Sequence, residues 1–101
     1  MVARTLQNGV RSSDTIGRWG GEEFIAFIAH VDEWALAGLA NKLRRLVEKS
    51  TLFVEPESVQ VTISIGATIS KMSDTVEDIV GRADQLMYKA KLSGRNRVVI
   101  D

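Results

Sequence analysis

An α+β fold, a sheet with helices packed on it, is predicted by three features of this sequence. Two strand-like runs, residues 14–19 and 24–29, are joined by only about four residues, which is hairpin length. Apolar residues recur at three- and four-residue intervals over 33–49 and again over 74–92, the period of helices with one buried face. Between those helices Val61, Ile63, Ile65, Ala67 and Ile69 alternate with small polar residues, the period of a strand. The chain has 101 residues, 45% of them hydrophobic, and a formal net charge of zero, which suits one small domain near the lower end of self-sufficient core size.

In chain order, Val2, Leu6, Gly9 and Val10 lie about one helical turn apart, so residues 1–10 read as the end of a helix. The hairpin follows. Phe24, Ile25, Phe27 and Ile28 make its second arm nearly continuously apolar, which suits a strand covered on both faces. Asp32 is placed to cap the next helix, and Leu36, Leu39, Ala40, Leu43, Leu46 and Val47 form its packing face. Lys42, Arg44, Arg45 and Lys49 line the rest, and the ordinary reading of such charges is a solvated surface. Residues 51–60 hold the only proline, Pro56, and read as a loop.

The strand over 61–69 has one apolar face and one of small residues, Thr62, Ser64, Gly66 and Thr68, leaving room for a helix or ligand to approach. Asp74 with Glu77 predicts a capping box for a helix that buries Val76, Ile79, Val80, Ala83, Leu86, Met87 and Ala90. Gly94 suits its C-terminal end, and residues 97–100 a last short strand. Trp19 and Trp34 read as packing residues and His30 as a polar residue at a strand end.

Charge and composition exclude several functions. A balanced chain lacks the excess of Lys and Arg that nonspecific nucleic-acid binding needs to displace counterions, so any anion site must be local. There is no cysteine for a disulfide or a thiolate metal site, which is compatible with a reducing cytoplasm. No apolar run approaches the roughly 20 residues of a membrane span, and the start lacks a signal-peptide pattern. A membrane anchor would have to lie elsewhere in a parent protein.

The chemically suggestive stretch is Arg18-Trp19-Gly20-Gly21-Glu22-Glu23-Phe24 at the hairpin tip. Gly20 and Gly21 tolerate positive φ and leave the backbone open to a ligand, and two carboxylates stand beside them. In isolation these residues are as well explained by a solvated turn. Three further motifs fall around them: Arg11-Ser12-Ser13-Asp14 shortly before Gly20, Val61-Thr62-Ile63-Ser64-Ile65-Gly66, and the run Ala83-Asp84, Tyr88, Ala90-Lys91, Gly94-Arg95-Asn96.

Together these four motifs resemble the GGDEF family, the diguanylate cyclases that condense two GTP molecules into cyclic di-GMP, in the Gly-Gly-Glu-Glu-Phe variant. The resemblance runs from about Val10 to Val99. It implies a ferredoxin-like nucleotide-cyclase palm, an antiparallel sheet with helices packed on it, and a role in bacterial second-messenger signalling. Family members begin with a strand carrying an Asp-rich metal motif and a helix whose Asn and Asp read guanine, and nothing before Arg4 matches them. Residues 1–101 are therefore read as a single partial domain, the C-terminal portion, lacking a strand that in the family lies mid-sheet. Either the neighbouring strands close up, or a second copy or an upstream segment fills the gap; filling is the expectation.

By resemblance, Glu22 and Glu23 share binding of Mg2+ (or Mn2+) and activation of the attacking hydroxyl. Gly20 and Gly21 bring the backbone against the nucleotide, and Lys91 and Arg95 contact the triphosphate. Without the surrounding motif, Lys91 and Arg95 would read as charges compensating a helix C-terminus. Arg11 and Asp14 match the family's inhibitory product site, where a guanidinium donates to guanine O6 and N7 and a carboxylate accepts from its N–H groups. Lys42 falls near the place of a further Arg in that site, and lacks the planar fork of arginine. Gly94 and Asn96 shape a turn. The family reaction needs two domains facing each other, so a homodimer is expected, along with an upstream sensory or regulatory domain in the parent. The chain alone is expected to be inactive. The alternatives are a noncatalytic receptor for cyclic di-GMP or GTP, and a dimerising remnant with neither activity.

Overall fold

The computed structural model describes residues 15–20, 23–28, 31–50 and 62–101, with the backbone alone for 15–20, 23, 24 and 50. The expected helix over 1–10, the loop over 51–60, His30, Arg11, Asp14, Gly21 and Glu22 lie outside the described residues. The elements are β1 (Thr15–Gly20), β2 (Glu23–Phe27), α1 (Glu33–Ser50), β3 (Ile65–Ala67), α2 (Val76–Leu92) and β4 (Val98–Ile100). β1 and β2 form the expected antiparallel hairpin. β3 and β4 form a parallel pair, because a helix rather than a turn connects them and returns the chain to the same end of the sheet.

Asp32 caps α1 as expected: its Oδ1 accepts from the Ala35 N–H at 2.8 Å. The apolar stripe of α1 packs on β3, with Leu43 and Val47 buried against Leu39, Ile63 and Ile65. Burying a side chain of this size contributes about 1.5–3 kcal/mol, so these few residues carry much of what a domain this small can gain. Leu46, at the edge of the stripe, and Val76, in the first turn of α2, are exposed.

The opposite face of β3 meets α2 at Gly66. A Cβ there would stand 2.1 Å from the Ala83 carbonyl oxygen and 2.2 Å from the Met87 nitrogen, so the helix backbone rests directly on the strand. The small polar face read in the sequence is the seat of this helix. Between the two helices β3 is covered on both sides.

Several expectations are corrected. The strand expected over 61–69 is a ladder only over Ile65–Ala67, because β4 offers just three partners, Val98 to Ile100. The capping box of α2 lies one residue later than Asp74 and Glu77: Thr75 Oγ1 accepts from Asp78 N–H at 3.1 Å, and Asp78 Oδ2 accepts from Thr75 N–H at 3.0 Å. Asp74 is held elsewhere, by Arg82. Trp34 is 90% exposed rather than packed, since it stands in the first turn of α1 away from the stripe that faces β3. Phe27 is about half exposed, so β2 is not covered on both faces by the described residues.

Arg82 ties three segments together. Its Nη1 and Nη2 donate to Asp74 Oδ1 and Oδ2 at 3.2 and 2.6 Å, its Nη2 to the Ile69 carbonyl at 3.0 Å, and its Nε to Thr68 Oγ1 at 2.7 Å. Thr68 in turn donates to Asp101 Oδ1 at 2.8 Å, so the ends of β3 and β4 are clamped to the start of α2. The Arg82 hydrogen bonds, and next the Lys71 N–H, lower the Asp74 carboxyl from 3.8 to about 2. A carboxyl more acidic folded than unfolded stabilises the fold fully above its unfolded value and loses that contribution as pH falls toward its folded value. Urea midpoints are therefore expected to drop between about pH 4 and pH 2, and Asp74→Asn to be less stable at neutral pH with a flatter profile in that window.

Candidate functional site

The hairpin register pairs the two ends of the Gly-Gly-Glu-Glu stretch, Gly20 and Glu23. Arg18 stands opposite Phe24 and Gly20 opposite Glu23, so Trp19 is an extra residue in β1 and the ladder shifts there. Such a bulge bends and twists a strand, here at the end of β1 that Gly21 and Glu22 follow in the sequence. Pairing of Gly20 with Glu23 leaves those two residues as the whole connection.

At the other end of the chain, α2 terminates in a built turn. Ser93 N–H donates to the Lys89 carbonyl at 3.0 Å, and Arg95 N–H to the Ala90 carbonyl at 3.0 Å, the six-to-one bond of a Schellman turn. Gly94 occupies the position after the cap with φ 130°, and Arg95 and Asn96 follow with φ 62° and 46°. Positive φ at two consecutive non-glycine residues costs energy and needs support. Asn96 supplies it: its Nδ2 donates to Glu48, and its Oδ1 accepts from Arg44 Nη1 at 3.1 Å, both on α1. The expectation that Gly94 and Asn96 shape the turn is thereby given a structure.

This turn and the last turn of α2 place Lys91 and Arg95 on the wall of a cleft of about 380 Å³. Ile25–Ile28 of the hairpin arm line one side and residues 62–68 the other, with Leu36, Ala40 and Leu43 of α1 and Ala83 and Met87 of α2 above and below. Asp84 also reaches the cleft, a position the sequence had placed in a motif without giving it a role. Lys91 and Arg95 make no salt bridge among the described residues. Lys42 is exposed on α1, and its expected neighbours Arg11 and Asp14 lie outside the described residues.

The family described as diguanylate cyclase, GGDEF domain, matches residues 1–97. The chain belongs to the GGDEF domain family. It is similar to diguanylate cyclase A of Treponema denticola, with 35% identity over 98% of this chain and 27% of that protein. It is also similar to diguanylate cyclase DgcM of Escherichia coli, with 34% identity over 97% of this chain and 23% of that one. The GGDEF chain thus spans about a quarter of the length of these relatives.

Among solved structures it resembles the diguanylate cyclase SiaD, determined with its activator SiaC from Pseudomonas aeruginosa, at a TM-score of 0.89 and 32% identity over 99% of this chain and 38% of that one. The active GGEEF domain of a diguanylate cyclase from Vibrio cholerae aligns at a TM-score of 0.85 and 30% identity, over 98% and 63%. The GGDEF domain of DgcB from Caulobacter crescentus, solved with c-di-GMP, aligns at 0.88 and 25%, over 98% and 60%. The chain thus has the fold of GGDEF domains considerably longer than itself.

Among the described residues no group of three His, Cys, Asp or Glu stands ready to hold a metal ion. The carboxylates of Glu22 and Glu23 are hard oxygen donors of the kind magnesium takes, one or two at a time, with phosphate and water completing its shell. Glu22 and Glu23 therefore suit part of a magnesium site. No helix among the described residues is long and apolar enough to cross a membrane.

Proposed function

We propose that these 101 residues are the C-terminal portion of a diguanylate cyclase catalytic domain that, when complete, joins two GTP molecules into cyclic di-GMP. Each 3′-hydroxyl oxygen bonds to the α-phosphorus of the other GTP, pyrophosphate leaves, and the hydroxyl proton passes to a base. Glu22 and Glu23 share the roles of accepting that proton and of ligating the metal: they would hold Mg2+ or Mn2+, which when bound would polarise the phosphate and neutralise developing charge. Gly20 and Gly21 let the nucleotide lie against the backbone, and Lys91 and Arg95 bind its phosphates. Two domains meet in a homodimer, because each holds one GTP.

The observation that supports this reading is the match of residues 1–97 to the GGDEF family, with Gly20 and Glu23, the ends of the Gly-Gly-Glu-Glu stretch, paired across the hairpin. A protein that contains this chain together with a family first strand and helix is expected to convert radiolabelled GTP to cyclic di-GMP with magnesium, and pyrophosphate release without that product would overturn the assignment.

A second reading rests on Arg11 and Asp14, which stand before Gly20 as in the family's product site: a module that binds cyclic di-GMP or GTP without turnover. Arg11, Asp14 and Lys42 form the product site in either case. Arg11→Ala is expected to weaken cyclic di-GMP binding about tenfold or more in calorimetry, since a charged hydrogen bond contributes about 1.5–3 kcal/mol. Lys42→Arg is expected to tighten it by restoring a planar fork. Equal affinities of Arg11→Ala and the parent chain would remove the product-site assignment.

A further inference from the structure

Arg95 stands in a run of three residues with positive φ, between Gly94 at 130° and Asn96 at 46°, with 62° of its own. Only the first is a glycine, so the other two hold a backbone that L side chains rarely adopt. That conformation decides the direction in which the Arg95 side chain leaves the chain, because its Cα–Cβ bond turns with the backbone. Within the turn, Arg95 N–H donates to the Ala90 carbonyl at 3.0 Å. This bond holds the Arg95 nitrogen to α2 but not the residues that follow.

The remaining restraint comes from outside α2. The Asn96 amide is used at both ends: its Nδ2 donates to Glu48, and its Oδ1 accepts from Arg44 Nη1 at 3.1 Å. Arg44 and Glu48 are half-buried and stand four residues apart on α1, hence on one face of that helix. Arg44 is itself steadied by Asn41, whose Oδ1 accepts from its Nε at 3.4 Å. From the other side Arg97 Nε donates to the Arg95 carbonyl at 3.2 Å, and the Arg97 guanidinium fills the space that a Cβ on Gly94 would need. Arg97 is pinned in turn, since its own carbonyl accepts from Ile65 N–H at 2.9 Å. The backbone after the Arg95 Cα is thus tied to α1 and β3. An amide suits the place of Asn96 because it donates to a carboxylate and accepts from a guanidinium at once.

We infer that Glu48 and Arg44 are positioning residues for the nucleotide site: through the Asn96 amide they hold the left-handed turn that aims Arg95. Phosphate binding then depends on α1, although neither residue touches the nucleotide. The inference rests on the proposed role of Arg95 at the triphosphate and supplies what that role needs, since an arginine on a loose turn loses affinity to the ordering of its own backbone.

The test is calorimetry with a nonhydrolysable GTP analogue and magnesium, on the longer protein in which this chain is joined to the family's first strand and helix. Arg95→Ala is expected to weaken binding about tenfold or more, and Glu48→Ala about fivefold. Glu48→Gln, which keeps an oxygen to accept from Asn96, is expected to stay within about twofold of the parent. In the Arg95→Ala background Glu48→Ala is expected to cost nothing further, because no guanidinium is left to aim. Asn96→Gly relieves the positive φ while removing the anchor, and is expected to show the same dependence on Arg95, which a general loss of stability would not produce. A Glu48→Ala loss of equal size with and without Arg95, or no loss beside a clear one for Arg95→Ala, would overturn the positioning role and leave the phosphate assignment standing. Parent-like binding by Arg95→Ala would overturn the phosphate assignment itself, and the inference with it.

Discussion

Gly66→Val is expected to destabilise the chain by about 3 kcal/mol or more, the upper range for overpacking, because the added atoms meet helix backbone rather than a side chain that can turn aside. The Ala83 carbonyl and Met87 nitrogen stand about 2 Å from where the Cβ would be, so α2 as a whole would have to lift from β3. Lifting it would separate Leu86 and Ala90 from the core and disturb the Schellman turn that places Lys91 and Arg95. Gly81 in the same helix is the control. Nothing lies within 4 Å of a Cβ there, so Gly81→Ala is expected to stabilise by about 0.5–1 kcal/mol through helix propensity alone. Urea titrations of both variants measure the contrast, and similar midpoints for Gly66→Val and the parent would mean that the helix does not rest on the strand as described.

The second large effect is catalytic. The isolated 101-residue chain is expected to yield no cyclic di-GMP from GTP and magnesium, while a protein in which it is joined to the family's first strand and helix does. Phosphoryl transfer depends almost wholly on positioning and charge stabilisation, so a site lacking a metal ligand and the groups that read the base loses the reaction rather than a fraction of it. Chromatography of labelled GTP incubated with homogeneous chain is the measurement, and product in that sample would refute the expectation.

Much of this arrangement is legible in the sequence where local and tertiary demands coincide. The hairpin follows from its short connection, Asp32 from its place ahead of an amphipathic stripe, and the seat of α2 from the run of small residues that includes Gly66. Other features are decided by competition that a sequence does not display. Asp74 and Thr75 are both suitable caps, and the outcome depends on Arg82, eight residues on, which engages the carboxylate and leaves the hydroxyl to the helix. The length of β3 is set by its partner, since a strand is a property of a pair. Trp34 is apolar enough for a core, but the turn it occupies has no described neighbour to cover it. The cleft itself arises from what two distant edges leave between them, which no single window of the sequence contains.

The central claim is that Glu22, which lies between β1 and β2 in the sequence, is part of a catalytic metal site. Its most direct test is a comparison of Glu22→Ala with the unmodified residue in the longer protein that carries the family's first strand and helix, following labelled GTP with magnesium present and cyclic di-GMP binding as a check on folding. The expected result is loss of turnover on the order of a thousandfold with product binding retained, as befits removal of a group that stabilises transition-state charge. Turnover within a few-fold of the unmodified protein would contradict the assignment.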